Sequence, residues 1–133
     1  MRVSIPHLIV GLITVIAGLH LLAFRFYLYD FWPYFDLLVH FLGGVWILLL
    51  YYWIFHLEFP GSFFSRSWKS LVVGGMLTVL AVAVLWEVFE LLAGAVTVGS
   101  GYLSDTIGDI LAGLAGGVAG LAMVYYHYRS GDN

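Results

Sequence analysis

Residues 68–92 read WKSLVVGGMLTVLAVAVLWEVFELL, and only Lys69, Glu87 and Glu90 among them are charged. A helix needs about 20 apolar residues to cross a bilayer's hydrocarbon core. This run has that length and keeps its charges near its ends, so it reads as a membrane span. Working outward, the stretches 5–26, 33–55 and 104–126 have the same character. The composition agrees: 62% of the 133 residues are hydrophobic and 10% charged, against roughly 25% charged in a soluble domain. The expected fold class is an all-α membrane protein, a single domain over 1–133, built as a four-transmembrane-helix bundle with both termini on the same side.

Several function classes fall away at this level. The five Lys and Arg residues stand singly, so no basic patch exists for nucleic acid. There is no cysteine, which removes thiolate metal sites and cysteine nucleophiles. The first apolar run exceeds a signal-peptide core, and no Ala-x-Ala cleavage pattern follows it; it is read as a membrane helix.

Local signals place the helix ends. Pro6 suits a helix start, Pro33 opens the second run, and 56–67, with Pro60, Gly61 and three serines, reads as a loop. The segment AGAVTVGSG is a second loop, after which Ser104 is an expected N-cap. Gly11 and Gly18, Gly43 and Gly44, and the overlapping GxxxG spacings of Gly113, Gly116, Gly117 and Gly120 suggest close helix packing. Glycine-rich faces of this kind also make a homo-oligomer a candidate arrangement.

Against this background six residues stand out: Asp36 and His40, Glu87 and Glu90, and Asp105 and Asp109. Each pair is three or four residues apart, hence on one helix face. In a four-crossing bundle the start of the second helix, the end of the third and the start of the fourth lie at one membrane face. At 1.5 Å per residue all six fall within roughly 10 Å of that face. His20 reaches the same layer, and Arg25 lies nearer the interface; His7, His56 and His127 read as interface or loop residues. Arg2, Arg66, Lys69 and Arg129 fall on the opposite side, so the positive-inside rule makes the termini cytoplasmic and turns the polar layer to the extracytoplasmic face.

Intramembrane ionisable residues are costly and usually functional. Five carboxylates in one low-dielectric layer need compensation that Arg25 alone cannot supply. A divalent metal, or two, would supply it, and a carboxylate set with one imidazole suits Mg, Mn, Fe or Zn. The metal candidates are therefore Asp36, His40, Glu87, Glu90, Asp105 and Asp109, with Glu87 or Glu90 as a candidate catalytic base. Taken singly, each pair also has a plainer reading as an interfacial hydrogen-bonded pair, a solvated helix end or an N-terminal helix acid.

Asp-x-x-x-His-Phe followed by glycine, an apolar helix ending in Glu-x-x-Glu, and Asp-x-x-x-Asp leading into a glycine-rich helix resembles the VanZ-like and YjdF-like small membrane proteins. Asp36, His40, Glu87 or Glu90, and Asp109 fall on the polar positions of that pattern. VanZ-like sequences usually carry Lys where this chain has Leu37, Gln where it has Glu90 and Asn where it has Gly113; the extra carboxylates Glu90 and Asp105 bring it nearer the YjdF-like type. The resemblance implies a role at the cell envelope. The functional expectation is a metal-binding membrane protein acting as a hydrolase or transferase on a lipid-linked or phosphorylated substrate. The alternatives are a proton- or cation-coupled transporter and a non-catalytic ligand-binding or scaffold protein.

Overall fold

The computed structural model describes residues 4–32, 34–59, 67–94 and 98–129. Pro33, Arg2, Arg66 and the side chain of Arg129 lie outside the described set, as do 60–66 and 95–97 of the two loops. Among the described residues there are four helices long and apolar enough to cross a membrane, and no strand.

Helix α1 (Ile5–Phe26) carries its proline in the first turn, where the missing N–H costs nothing. It ends at Tyr27, which adopts a left-handed φ of 55° and donates its N–H to the Ala23 carbonyl. This conformation is uncommon outside glycine, and it turns the chain into the short helix α2 (Leu28–Phe31). Helix α3 (Tyr34–Tyr52) continues as a π-helical turn over Trp53–Glu58. The loop expected from His56 therefore begins three residues later, at Phe59. Its N–H closes the turn on the Ile54 carbonyl at 3.0 Å, and the Phe55 and His56 rings stack near Tyr51.

Helix α4 (Trp68–Ala93) is capped by Ser67, whose hydroxyl accepts the Ser70 N–H, and it closes on Gly94 with φ 69°. Helix α5 (Tyr102–Arg129) starts two residues ahead of the expected cap. Ser104 lies inside the first turn, and its hydroxyl donates to the Gly101 carbonyl at 2.8 Å. The N-cap reading of Ser104 is thus corrected: its hydroxyl bonds back to a carbonyl of the preceding turn, an arrangement a helix tolerates at slight cost, instead of accepting an N–H ahead of it.

The bundle is organised on α3, which packs on α1, α4 and most extensively on α5. Backbone approach makes that last contact. A Cβ on Gly44 would fall on the Gly113 carbonyl, and one on Gly116 would fall on the Phe41 carbonyl. Gly117 packs under Val79, and Gly120 faces Leu48. A Cβ added at Gly43, Gly11 or Gly18 would meet nothing within 4 Å, so the close packing expected at these three is not made among the described residues.

Two apolar clusters show the alternation of the helices. Ile5, Ile9, Val45, Leu49, Tyr52, Leu71 and Val124 form one, while Ile16, Ala23, Phe35 and Val39 form the other. The start of α1 and α4 and the end of α3 and α5 therefore share one end of the bundle. The opposite end gathers the end of α1 and α4 and the start of α3 and α5, and the acidic residues lie there.

Candidate metal centre

His40 is the hub. Its Nε2 lies 3.6 Å from Asp36 Oδ1, one turn back on α3, and 3.8 Å from Glu87 Oε1 across on α4. Two ligand groups share this imidazole: Asp36, His40 and Asp109 form one, and His40, Glu87 and Glu90 form the other. Within each group the potential ligand atoms all lie within 4.8 Å of one another. Metal–oxygen bonds of about 2.1 Å would separate ligands of one ion by roughly 3–4 Å.

Five of the six expected residues therefore converge. The sixth, Asp105, is exposed and belongs to neither group; it lines an open vestibule of about 1210 Å³ together with Asp36, Glu90, Tyr29 and Trp86. Arg25 stacks over the Phe26 ring at 5.5 Å, and the two ion pairs given among the described residues at this end are both made by His40. Burial is deepest at Asp109, 2% exposed, and Glu87, 6% exposed. Glu87 Oε1 and Asp109 Oδ1 are buried without a hydrogen-bond partner. A buried oxygen of this kind is expensive unless something binds it. The donor set of oxygens and one imidazole fits a hard or borderline divalent cation.

Two further side chains bond the acids directly, and a third, Tyr29, bonds His20 beside them; none of the three was expected at the site. The Trp86 indole N–H donates to Glu90 Oε1 at 2.8 Å. Thr106 hydrogen-bonds the Glu87 carboxylate. The Tyr29 hydroxyl meets His20 Nδ1 at 2.6 Å, and the His20 ring in turn lies 6.1 Å from that of Trp86. Burial, then the negative charges of Asp36 and Glu90, push the Tyr29 phenol up to about 12, so it keeps its proton. The one-turn spacing of Trp86 and Glu90 was visible in the sequence; the reach of Thr106 and Tyr29 between elements was not.

Fold and cluster together define a four-helix membrane protein with a carboxylate–histidine centre near one end of its bundle. The chain belongs to the family described as Predicted membrane protein (DUF2238), whose model matches residues 1–130. No curated protein and no solved structure matches it.

Proposed function

We propose that this protein binds divalent metal at Asp36, His40, Glu87, Glu90 and Asp109 and acts as a hydrolase or transferase on a lipid-linked or phosphorylated substrate. The observation that carries the reading is the pair of unpartnered buried carboxylate oxygens, on Glu87 and Asp109, each in one of two ligand groups that share the His40 imidazole. A cation relieves both, and it offsets the mutual repulsion of acids that, among the described residues, have no lysine or arginine paired to them. When bound, the metal supplies Lewis acidity toward a phosphoryl or acyl oxygen. The protein's own groups divide the remaining work. Glu87 and Asp109, the most buried, each anchor one of the two ligand groups that share His40. Glu90 lines the vestibule, is oriented by Trp86 and has the access a general base needs.

The motif resemblance to VanZ-like and YjdF-like proteins supports a role at the cell envelope. The charge asymmetry of Arg2, Arg66, Lys69 and Arg129 against Arg25 supports cytoplasmic termini and an extracytoplasmic vestibule. Elemental analysis of purified protein tests the metal reading. Stoichiometric divalent metal whose chelation lowers thermal stability is expected; its absence, with stability indifferent to chelation, overturns the reading.

A further inference from the structure

A second cavity, of about 350 Å³, runs from the polar cluster toward the middle of the bundle between α1, α3 and α4. It exists because α1 packs on α3 but scarcely on α4. Ile13, Ile16, Gly43, Ile47, Val79 and Val82 form much of its wall, and His20, His40 and Trp86 stand at one end. His20 and Trp86 line both this groove and the vestibule, so they mark the junction of the two. One space is apolar and at membrane depth, and the other is acidic and wide.

We infer that the groove seats one hydrocarbon chain of a phosphate-bearing membrane lipid whose headgroup passes His20 and Trp86 to the carboxylate–histidine centre. The groove spans 13–20 on α1 and 79–86 on α4, about 10 Å of helix rise. That is room for part of a single chain. A helix segment of that length, about 10 Å across, would fill roughly 800 Å³ and does not fit. An extended peptide would leave its backbone polar groups unsatisfied against apolar walls. The hydrocarbon chains of the bilayer are already at this depth.

The head assignment rests on the metal reading above. Among the described residues, those lining the vestibule include no lysine or arginine, so the strongest hold on a phosphate there is a cation bound to the acids, a common coordination for divalent ions. Seating the chain fixes the headgroup at that ion, and the tether rather than apolar transfer sets the selectivity, because lipid tails are as apolar as the groove.

Gly43 gives a clean test, since a side chain added there meets nothing within 4 Å and projects into the groove instead of into a helix. The probe is phosphatidic acid with a diazirine near the end of one acyl chain, in phosphatidylcholine bilayers with Mn²⁺. Diacylglycerol with the same chain serves as the phosphate-free comparison. Phosphatidic acid is expected to label peptides around Ala17 and Val82, and diacylglycerol much less. Gly43→Leu should cut labelling at least about tenfold, a loss of about 1.4 kcal/mol, while metal content stays unchanged; Val82→Trp, a second plug from another helix, should do the same. Equal labelling by the two probes, or full labelling of both plugged variants, overturns the inference. Metal present with labelling insensitive to both plugs overturns the groove alone. Metal absent with plug-sensitive labelling overturns the metal reading and with it the headgroup assignment, and leaves only the chain in the groove standing.

Discussion

His40 on α3 and Glu87 on α4 meet at 3.8 Å, with side chains 7% and 8% exposed. Two ionisable groups so far from water are held there by the crossing of their helices, and Glu87 Oε1, the oxygen that faces His40, has no hydrogen-bond partner. Such a pair is weak evidence of stabilisation, because desolvation offsets the attraction. On the proposed metal reading its value lies in ligation. Glu87→Gln is therefore expected to lower Mn²⁺ affinity by more than about 100-fold, beyond the loss typical of an outer-shell partner. In metal-free protein the same change should leave the thermal midpoint unchanged or raise it. Titration and melting in detergent check both directions, and a large destabilisation of the metal-free variant would count against a ligand role.

Asp109 offers a second measurement of the same centre. If metal binds only the folded bundle, an ion at 100 times its dissociation constant adds about 2.7 kcal/mol to stability. Asp109→Asn keeps the shape of the side chain but removes its charge. The expected outcome is a metal-induced rise in midpoint that is clear in the parent and nearly gone in the variant.

The contact of α3 with α5 makes a prediction independent of the metal. A Cβ at Gly44 would fall on the Gly113 carbonyl, and backbone cannot swing away as a side chain can. Gly44→Ala and Gly116→Ala should each destabilise by at least about 1–3 kcal/mol, the usual cost of overpacking. Gly43→Ala, one residue away but facing open space, should be near neutral. Steric-trap or denaturant unfolding would show whether the neighbouring glycines differ.

The legible and illegible parts of this protein divide along a physical line. Length and hydropathy located the spans within about two residues at α1 and α4, because a bilayer imposes a minimum run. The alternation of crossings then placed Asp36, His40, Glu87, Glu90 and Asp109 at one end without any contact being known. Which face of each helix turns inward was harder to read. In a membrane the lipid-facing and core-facing residues are both apolar, so periodicity loses its contrast. Hence Gly43 and Gly44 looked alike, although only Gly44 touches α5. Asp105 shared the spacing of Asp109 and yet faces the vestibule rim, since it lies a turn nearer the helix start and outside the packed layer. The π-helical turn after Tyr52 had no sequence signal apart from the aromatic run it stacks.

Tyr29, outside the spans, sets a pH dependence whose sign follows from its surroundings. Burial and the nearby carboxylates move it from 10.0 to about 12 in the folded protein. Below pH about 10 both states keep the proton, so its contribution to stability is fully present. Above that the unfolded chain ionises first, and stability should fall as pH rises through about 12. Tyr29→Phe should flatten this part of the curve. Ultraviolet titration at the phenolate band, compared between the two proteins, checks the assignment.

Trp86 tests whether Glu90 is positioned or merely present. Its indole N–H holds Glu90 Oε1 at 2.8 Å, and its ring reaches toward His20, closing the top of the groove. Trp86→Phe keeps an aromatic ring and removes the donor. Loss of an outer-shell partner typically costs about 10–100-fold in metal affinity or activity. Here the cost should fall on catalysis more than on binding, because on the proposed reading His40 and Glu87 still hold the ion while Glu90 loses its orientation. Once a substrate is found, kcat should drop with metal affinity changed by less than about tenfold, whereas Glu90→Gln should lower both. A Trp86→Phe variant that loses its metal as fully as Glu87→Gln would make the indole a structural prop of the whole centre.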